Sequence, residues 1–471
     1  MSCCVPSCCA ETSGQSARSA ELPVAIIGAG PVGLAAAAYL QARGIDPIIL
    51  ESGADVGTAP RAWGHVRMFS PWRYNIDSAS RALLQEQGWQ EPDAEVFPSG
   101  QNLADQYLSP LARTPAIAAT LQLNKRVTAI TRAGLGKVRD AARDEAPFEI
   151  RVEDEHGREG RIFARAVIDA SGTGGTPSPA GASGLPAIGE REAARRIHYG
   201  MPDVLGADRE RYAGKRVLVI GTGHSAIGTV IDLCALALTA QGTEVFWASR
   251  TGDLARAYGG GSADQFPERG ALGYHLKQLV AAEAVKALAP FAVDGFQLDA
   301  NGALKVTSGD GQAVTVDQAI VATGLRPDLR ILGELRLDLD PALECPAALG
   351  PLIDPNLHSC GTVRPHGAME LAQPETGVFI AGIKSYGRAP TFLLATGYEQ
   401  VRSIAAYLAG DLEAARRVEL DLPETGVCSS NFEPAGTTSC CAPAEATLDV
   451  ETLTVVSSCC APVGQKVVVP A

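Results

Sequence analysis

Residues 24–33 read VAIIGAGPVG, a short apolar run followed without a gap by G-x-G-x-x-G. The apolar run predicts a buried parallel strand. Residues 34–43 contain no breaker and predict a helix packed on a sheet. A second apolar run, 47–50, predicts the next strand and ends on Glu51. This order admits few folds. Gly28 makes the tight turn, Gly30 lets the backbone approach a pyrophosphate, and Gly33 lets helix and strand pack closely. The helix N-terminus supplies unpaired N–H groups and a positive dipole end for phosphate. Glu51 stands where an acid accepts hydrogen bonds from ribose hydroxyls, about 20 residues beyond the glycines. Gly28, Gly30, Pro31, Gly33, Glu51 and Ser52 are therefore candidate residues for holding a dinucleotide.

A second copy follows. Residues 216–220 predict a strand, and Gly221, Gly223, His224, Ser225 and Ala226 form G-x-G-x-x-A, a permitted variant. A helix is predicted over 227–238 and a strand over 243–248, but that strand ends in Ser249-Arg250 with no acid. An acid there would accept from a ribose 2′-hydroxyl, whereas an arginine pairs with a 2′-phosphate. The first site thus suits the adenosine diphosphate ribose half of FAD, and the second suits NADPH. A solvated arginine at a strand end is the plainer alternative for Arg250. His224 reads as a cofactor contact, while His198 reads as a packed or surface histidine.

Further strands are predicted at 126–130, 148–152, 161–168, 296–298, 304–307 and 314–321. Helices are predicted at 272–288, at 396–409, and at 102–109, where Pro110 should stop the last. The turn at 169–174, after the 161–168 run, is echoed by Ala322-Thr323-Gly324, which adds Thr323 and Gly324 to the candidates. One architecture is written twice, the second copy inserted before the first is finished, and a strand into Gly382 completes it. The irregular, arginine- and aromatic-rich loop 57–75 is expected at the carboxyl edge of the first sheet, with Arg61 and Trp63 lining the cofactor cavity and His65, Arg67 and Trp72 nearby. A packed surface loop is the alternative. The expected fold is α/β, with two Rossmann-like dinucleotide-binding domains, the NADPH domain inserted into the FAD domain, and flexible Cys-rich termini. The boundaries are an N-terminal arm at 1–20, FAD-domain parts at 21–205 and 331–418, the NADPH domain at 206–330, and a tail at 419–471.

The net charge of -13 over 471 residues argues against nucleic acid and against an anionic membrane surface as partners. No run is long enough for a membrane helix, and the N-terminus has no basic segment before an apolar one, so a cytoplasmic location is expected. Eight of the twelve cysteines form adjacent pairs: Cys3-Cys4, Cys8-Cys9, Cys440-Cys441 and Cys459-Cys460. Adjacent cysteines bond to each other only with strain. Clustered soft thiolates suggest capture of a thiophilic metal or metalloid, and Cys440, Cys441, Cys459 and Cys460 are the candidate ligands.

On these residues the chain resembles the flavoproteins with two dinucleotide-binding domains, which include flavin-dependent monooxygenases and thioredoxin-reductase-like enzymes. The resemblance covers about residues 21–415. It rests on Gly28, Gly30, Gly33 and Glu51, on Gly221, Gly223, Ala226 and Arg250, and on Ala322-Thr323-Gly324 and Ala381-Gly382. It departs from many relatives in having Ile383 after Gly382 where they carry Asp, and in lacking F-x-G-x-x-x-H before the second fingerprint. The resemblance implies FAD and NADPH as cofactors and hydride relay as the chemistry. No cysteine lies between Glu51 and Tyr74, and the second domain holds only Cys234, so the monooxygenase branch, with O2 and a small-molecule substrate, fits better than the disulfide reductases. The paired cysteines resemble those of proteins in arsenic-resistance operons and imply a trivalent arsenical as substrate. Alternatives are an NADPH-dependent reductase of a small electron acceptor, or a metalloid-binding or sensing flavoprotein. Zinc or copper binding and a thiol buffer stay open for the pairs, and so does homodimerisation. No catalytic residue is assigned.

Overall fold

The fingerprint strand β1 (Val24–Ile27) is buried along its whole length, because parallel strands lie on both sides of it, the helix of residues 31–41 packs on the face of Val24 and Ile26, and the antiparallel strands of residues 126–164 pack on the face of Ala25 and Ile27. The computed structural model describes residues 21–259, 267–357, 366–389 and 392–420. Around β1, the strands β2 (Pro47–Leu50), β3 (Leu121–Gln122), β7 (Ala166–Asp169) and β16 (Val378–Ile380) form a five-stranded parallel sheet in the order β16-β7-β1-β2-β3. A second five-stranded parallel sheet has the order β11-β10-β9-β15-β8. Its members are β8 (Ile197–Tyr199), β9 (Arg216–Ile220), β10 (Glu244–Ala248), β11 (Lys286–Leu288) and β15 (Gln318–Val321). Every strand of the second sheet falls between β7 and β16 in the chain, yet β16 pairs with β7. The second dinucleotide fold is thus inserted into the first.

Each half carries a three-stranded antiparallel sheet just before one of its parallel strands. These are β4 (Arg126–Arg132), β5 (Phe148–Glu153) and β6 (Glu159–Ala164), and β12 (Val293–Leu298), β13 (Leu304–Ser308) and β14 (Ala313–Val316). The helices that follow the fingerprints are α1 (Pro31–Gln41) and α2 (His224–Thr239). The remaining long helices are α3 (Pro267–Ala281) and α4 (Leu394–Leu408). α1 lies between its sheet and α4, so Val32, Leu34, Ala36, Ala38 and Leu40 are all buried and no polar stripe is needed.

Four expectations about the elements are corrected. The helix meant to stop at Pro110 runs through it, from Gly100–Asn102 through a π-helical turn, Leu103–Leu108, into Ser109–Ala112. The Gln106 carbonyl, which an N–H at position 110 would otherwise reach, accepts from Trp89 Nε1 at 2.9 Å instead. The run 161–168 is two strands, broken where the Arg165 N–H donates to the Pro23 carbonyl as the chain leaves the antiparallel sheet for the parallel one. The run 314–321 divides likewise at Asp317, whose carboxylate accepts from the Arg216 backbone N–H at 2.8 Å and pairs with its guanidinium. The helix predicted over 272–288 ends at Ala281. Glu283 turns left-handed (φ 56°), and Lys286–Leu288 then joins the sheet as β11.

The antiparallel sheet of the first half is tied to the segment entering β16 by a buried charge cluster. The Glu375 carboxylate, 1% exposed, accepts from Arg132 at 2.7 Å and from Arg143 at 2.7 Å, and also from the Arg336 backbone N–H. Burial pushes this carboxyl up, but Arg143 and Arg132 outweigh it and hold it below its usual range. Removing one member of such a cluster strands buried charge. Glu375→Ala is therefore expected to cost about 3–5 kcal/mol in denaturant unfolding, and a loss comparable to that of a surface substitution would contradict the assignment.

Candidate functional site

Gly28 adopts φ 98°, and a Cβ there would lie 3.0 Å from the Ala170 carbonyl oxygen and from Ser171 Cα, in the turn after β7. A Cβ on Gly33 would lie 2.0 Å from the Gly28 carbonyl oxygen, so helix and loop touch directly. Over Gly30 there is nothing within 4 Å. Pro31 occupies the first turn of α1, and no side chain caps that helix start. Glu51 is 7% exposed and accepts from the Ala29 N–H at 2.7 Å and the Gly53 N–H at 2.7 Å. Its carboxylate is thus fixed against the loop while retaining lone pairs for further donors. Ser52 lines a polar pocket of about 250 Å³ with Asn124, Arg126, Glu153, Asp154, Glu155 and Gly157. Asn124 and Arg126 carry no pattern of their own and reach Ser52 through tertiary bonds, the Asn124 N–H to the Gly53 carbonyl at 2.9 Å and the Lys125 N–H to the Glu51 carbonyl at 2.7 Å.

The second loop repeats this geometry. Gly221 has φ 132°, and a Cβ there would lie 2.3 Å from the Ala322 carbonyl oxygen, in the turn after β15. Its own carbonyl accepts from Trp247 Nε1 at 2.7 Å, which holds the loop against β10. Gly223 has open space above it and stands at the start of α2 with no side-chain cap. Ala226 is buried, and its Cβ would meet a Gly221 Cβ at 3.5 Å, so a small residue suits the third position. His224 is exposed and meets the Phe69 ring edge-on, with centroids 5.2 Å apart. The Ser225 carbonyl accepts from the Thr229 hydroxyl within α2. Arg250 is exposed at the end of β10 and donates to the Ala182 carbonyl at 3.3 Å. The Thr323 hydroxyl donates to the Ser178 carbonyl at 2.9 Å, and the Gly324 carbonyl accepts from the Ser178 N–H.

A third group meets the first loop. The Gly382 N–H donates to Gln400 Oε1 at 2.8 Å, and Val32 of α1 lies beneath it, 3.3 Å from where a Cβ would be. Gly397 in the first turn of α4 stands over the same valine. Below them Lys384, 1% exposed, pairs with the fully buried Asp169 at 2.7 Å and donates to Ser171 Oγ at 3.0 Å. Lys384 and Gln400 were not foreseen, because a lone lysine after a strand and a glutamine in a helix carry no pattern. Arg61 pairs with Asp105 at 2.7 Å and donates to Ser109 Oγ at 2.8 Å, so its guanidinium braces the helix over 100–112. Trp63 stacks over Gly100, where a Cβ would lie 2.5 Å from a ring carbon. Trp72 is in the hydrophobic core.

The candidate ligands Cys440, Cys441, Cys459 and Cys460 lie outside the described residues. Among the described residues there is no cluster of three or more metal-ligating side chains, and no helix long and apolar enough to cross a membrane. The two described cysteines sit in different cores. Burial pushes the Cys234 thiol up to about 11, and burial with the nearby Asp340 pushes Cys345 up to about 12.

Both loops fit a pyrophosphate: each offers backbone N–H groups at an uncapped helix start, with open space above its second glycine. An acid ends β2 and a base ends β10. This pairing defines a flavoprotein oxidoreductase with two dinucleotide-binding folds. The family model for pyridine nucleotide-disulphide oxidoreductases matches residues 25–345, and the chain belongs to that family. FAD and NADPH are the cofactors this membership assigns. The chain is 30% identical over 223 residues to indole-3-pyruvate monooxygenase YUCCA1 of Oryza sativa subsp. japonica, and the match spans about half of each, 47% of this chain and 47% of the relative. Among solved structures it resembles the bacillithiol disulfide reductase of Bacillus cereus (20% identity, TM-score 0.59, 83% of this chain and 99% of that one). It also resembles a flavin monooxygenase of Stenotrophomonas maltophilia (22% identity, TM-score 0.50, 82% and 99%). These two likenesses establish the fold.

The open space at Gly30 and the closed space at Gly33 separate binding from folding. Gly30→Ala is expected to leave the unfolding temperature essentially unchanged while weakening FAD retention roughly tenfold, the order of one lost charge-assisted hydrogen bond. Gly33→Ala should lower thermal stability as well, since backbone must shift. Flavin absorbance per protein and a thermal melt read both; equal behaviour of the two variants would contradict the geometry.

Proposed function

We propose that the chain is an NADPH-dependent FAD monooxygenase that transfers one oxygen atom of O2 to a soft small substrate, a trivalent arsenical first among them. The observation that carries the oxygenase reading is the state of the two described cysteines. Cys234 and Cys345 are buried in separate cores with raised thiol pKa values, so neither offers the reactive thiolate that disulfide exchange needs. The partial similarity to a plant monooxygenase points the same way.

Bound FAD supplies the ring that takes up hydride from NADPH and reacts with O2. The protein binds and orients. Gly28, Gly30, Pro31 and Gly33 receive the FAD pyrophosphate, with Glu51 and Ser52 at the ribose end. Gly221, Gly223, His224, Ser225 and Ala226 receive that of NADPH, and Arg250 pairs with its 2′-phosphate. Thr323 and Gly324 shape the turn against the second loop, and Gly382 the turn against the first. Arg61 and Trp63 hold the loop that walls the cavity. The first turn of α4, seated on Val32, turns the positive end of a 15-residue helix toward the flavin and favours negative charge there. Overall, NADPH supplies two electrons, one oxygen atom goes to the substrate, and the other leaves as water.

The arsenical assignment rests on Cys440-Cys441 and Cys459-Cys460, since soft thiolates prefer soft As(III). A chain-borne thiol pair would raise the local concentration of substrate near the flavin. Arsenite or methylarsenite should accelerate NADPH and O2 consumption and yield pentavalent product. Rapid anaerobic turnover with quinones and no oxygenated product would instead identify a reductase. Arg250→Ala should raise the KM for NADPH about tenfold or more while hardly changing that for NADH, as loss of a charged hydrogen bond requires. Equal effects on both would reject the 2′-phosphate contact.

A further inference from the structure

Residues 63–70 cross from one dinucleotide fold to the other. On the first-half side they are pinned by backbone: the Met68 N–H donates to the Pro98 carbonyl at 2.8 Å, and the Val66 and Gly64 carbonyls accept from Gly100 and Gln101 at 3.0 Å. Arg67 pairs across a β-bridge with Ser99 and lies over the Phe97 ring, 5.3 Å from its centroid. The far end is closed by Ser70, which donates to Asn75 Oδ1 inside the fold. On the second-half side the same segment reaches the nucleotide loop. The Phe69 ring meets that of His224, the first helical residue after Gly223. Arg67 faces Glu268 of α3 at 3.8 Å, and His65 is close enough to Asp232 of α2 and to His198 of β8 to act on their charge.

The Arg67–Glu268 pair is exposed and contributes little by itself. The aromatic contact differs, because it falls on the loop whose N–H groups are offered to a pyrophosphate. A backbone-anchored strap from the flavin half therefore touches the loop of the other half that is offered to the nucleotide.

The geometry points to Phe69 as a positioning residue that couples the two sites: through His224 it registers nucleotide at the second loop and passes the change to residues 63–70 of the flavin half. This rests on the second loop being the NADPH site. The strap carries no bond-making step. It holds the N-terminal turn of α2 at a set distance from the first fold, so that nucleotide seated there is already aligned with the flavin half.

Hydrogen exchange on the wild-type, flavin-loaded protein with and without NADP+ tests this without a variant. NADP+ should slow exchange in both 221–226 and 63–70. Slowing in 221–226 with no change in 63–70 would overturn the coupling and leave the NADPH site standing. No change in either would overturn the site itself, and the coupling with it. A second measurement isolates the side chain. Phe69→Ala should keep its flavin content, raise the KM for NADPH about two- to tenfold, the range one aromatic contact supplies, and abolish the response of 63–70 to NADP+. An unchanged KM with the response intact would refute the role of Phe69.

Discussion

The structure depends on one close approach made twice. The first glycine of each fingerprint presses its Cα face against the backbone of the turn that follows the neighbouring strand, Gly28 against Ala170 and Gly221 against Ala322. Any side chain at either glycine would wedge fingerprint and turn apart. Because they touch, the helix start is brought to the carboxyl edge of the sheet, and its unpaired N–H groups face the place where the strand order reverses. The rest of each half supports that contact. α4 and the Gly382 turn press on Val32 from above in the first half, and Trp247 holds the Gly221 carbonyl from the side in the second.

Buried charge reinforces the first half. Asp169 and Lys384 join the ends of β7 and β16, the two strands that the inserted fold separates by more than two hundred positions in the chain. Glu375, with Arg132 and Arg143, joins the antiparallel sheet to the entry of β16. Both clusters sit where the returning chain must find its partner across the insertion. Such pairs are costly to desolvate and poor general stabilisers, so their value is in fixing which segments meet. Here they seat β16, and with it Gly382 and the start of α4, beside the first loop.

Most of the parallel framework was legible because glycine turns and short apolar runs carry unambiguous geometry. Both fingerprints, the β15 turn at Ala322-Thr323-Gly324 and the return through 378–382 follow from residue type and spacing alone. What failed to show is what depends on tertiary partners. The strand at 286–288 has no pattern of its own and exists because β10 offers it an edge. The breaks at Arg165 and Asp317 are set by bonds to Pro23 and Arg216, far away in sequence. Pro110 reads as a stop because proline lacks an N–H, but a π-helical turn, not readable from local propensity, precedes it and the helix continues. At the site, Arg61 and Trp63 were legible as members of a notable loop. Their bracing contacts with Asp105, Ser109 and Gly100 were not, nor was the meeting of Phe69 with His224.

In the proposed reaction, electrons pass from NADPH to one flavin and from there directly to a small acceptor, without a disulfide relay. Anaerobic titration of the flavin-loaded protein with NADPH, followed by flavin absorbance, measures this most directly. A single equivalent of NADPH per flavin is expected to bleach the chromophore completely, and air to restore it. Uptake of a second equivalent, which would reveal a reducible disulfide in series with the flavin, would contradict it, as would a flavin that NADPH leaves oxidised.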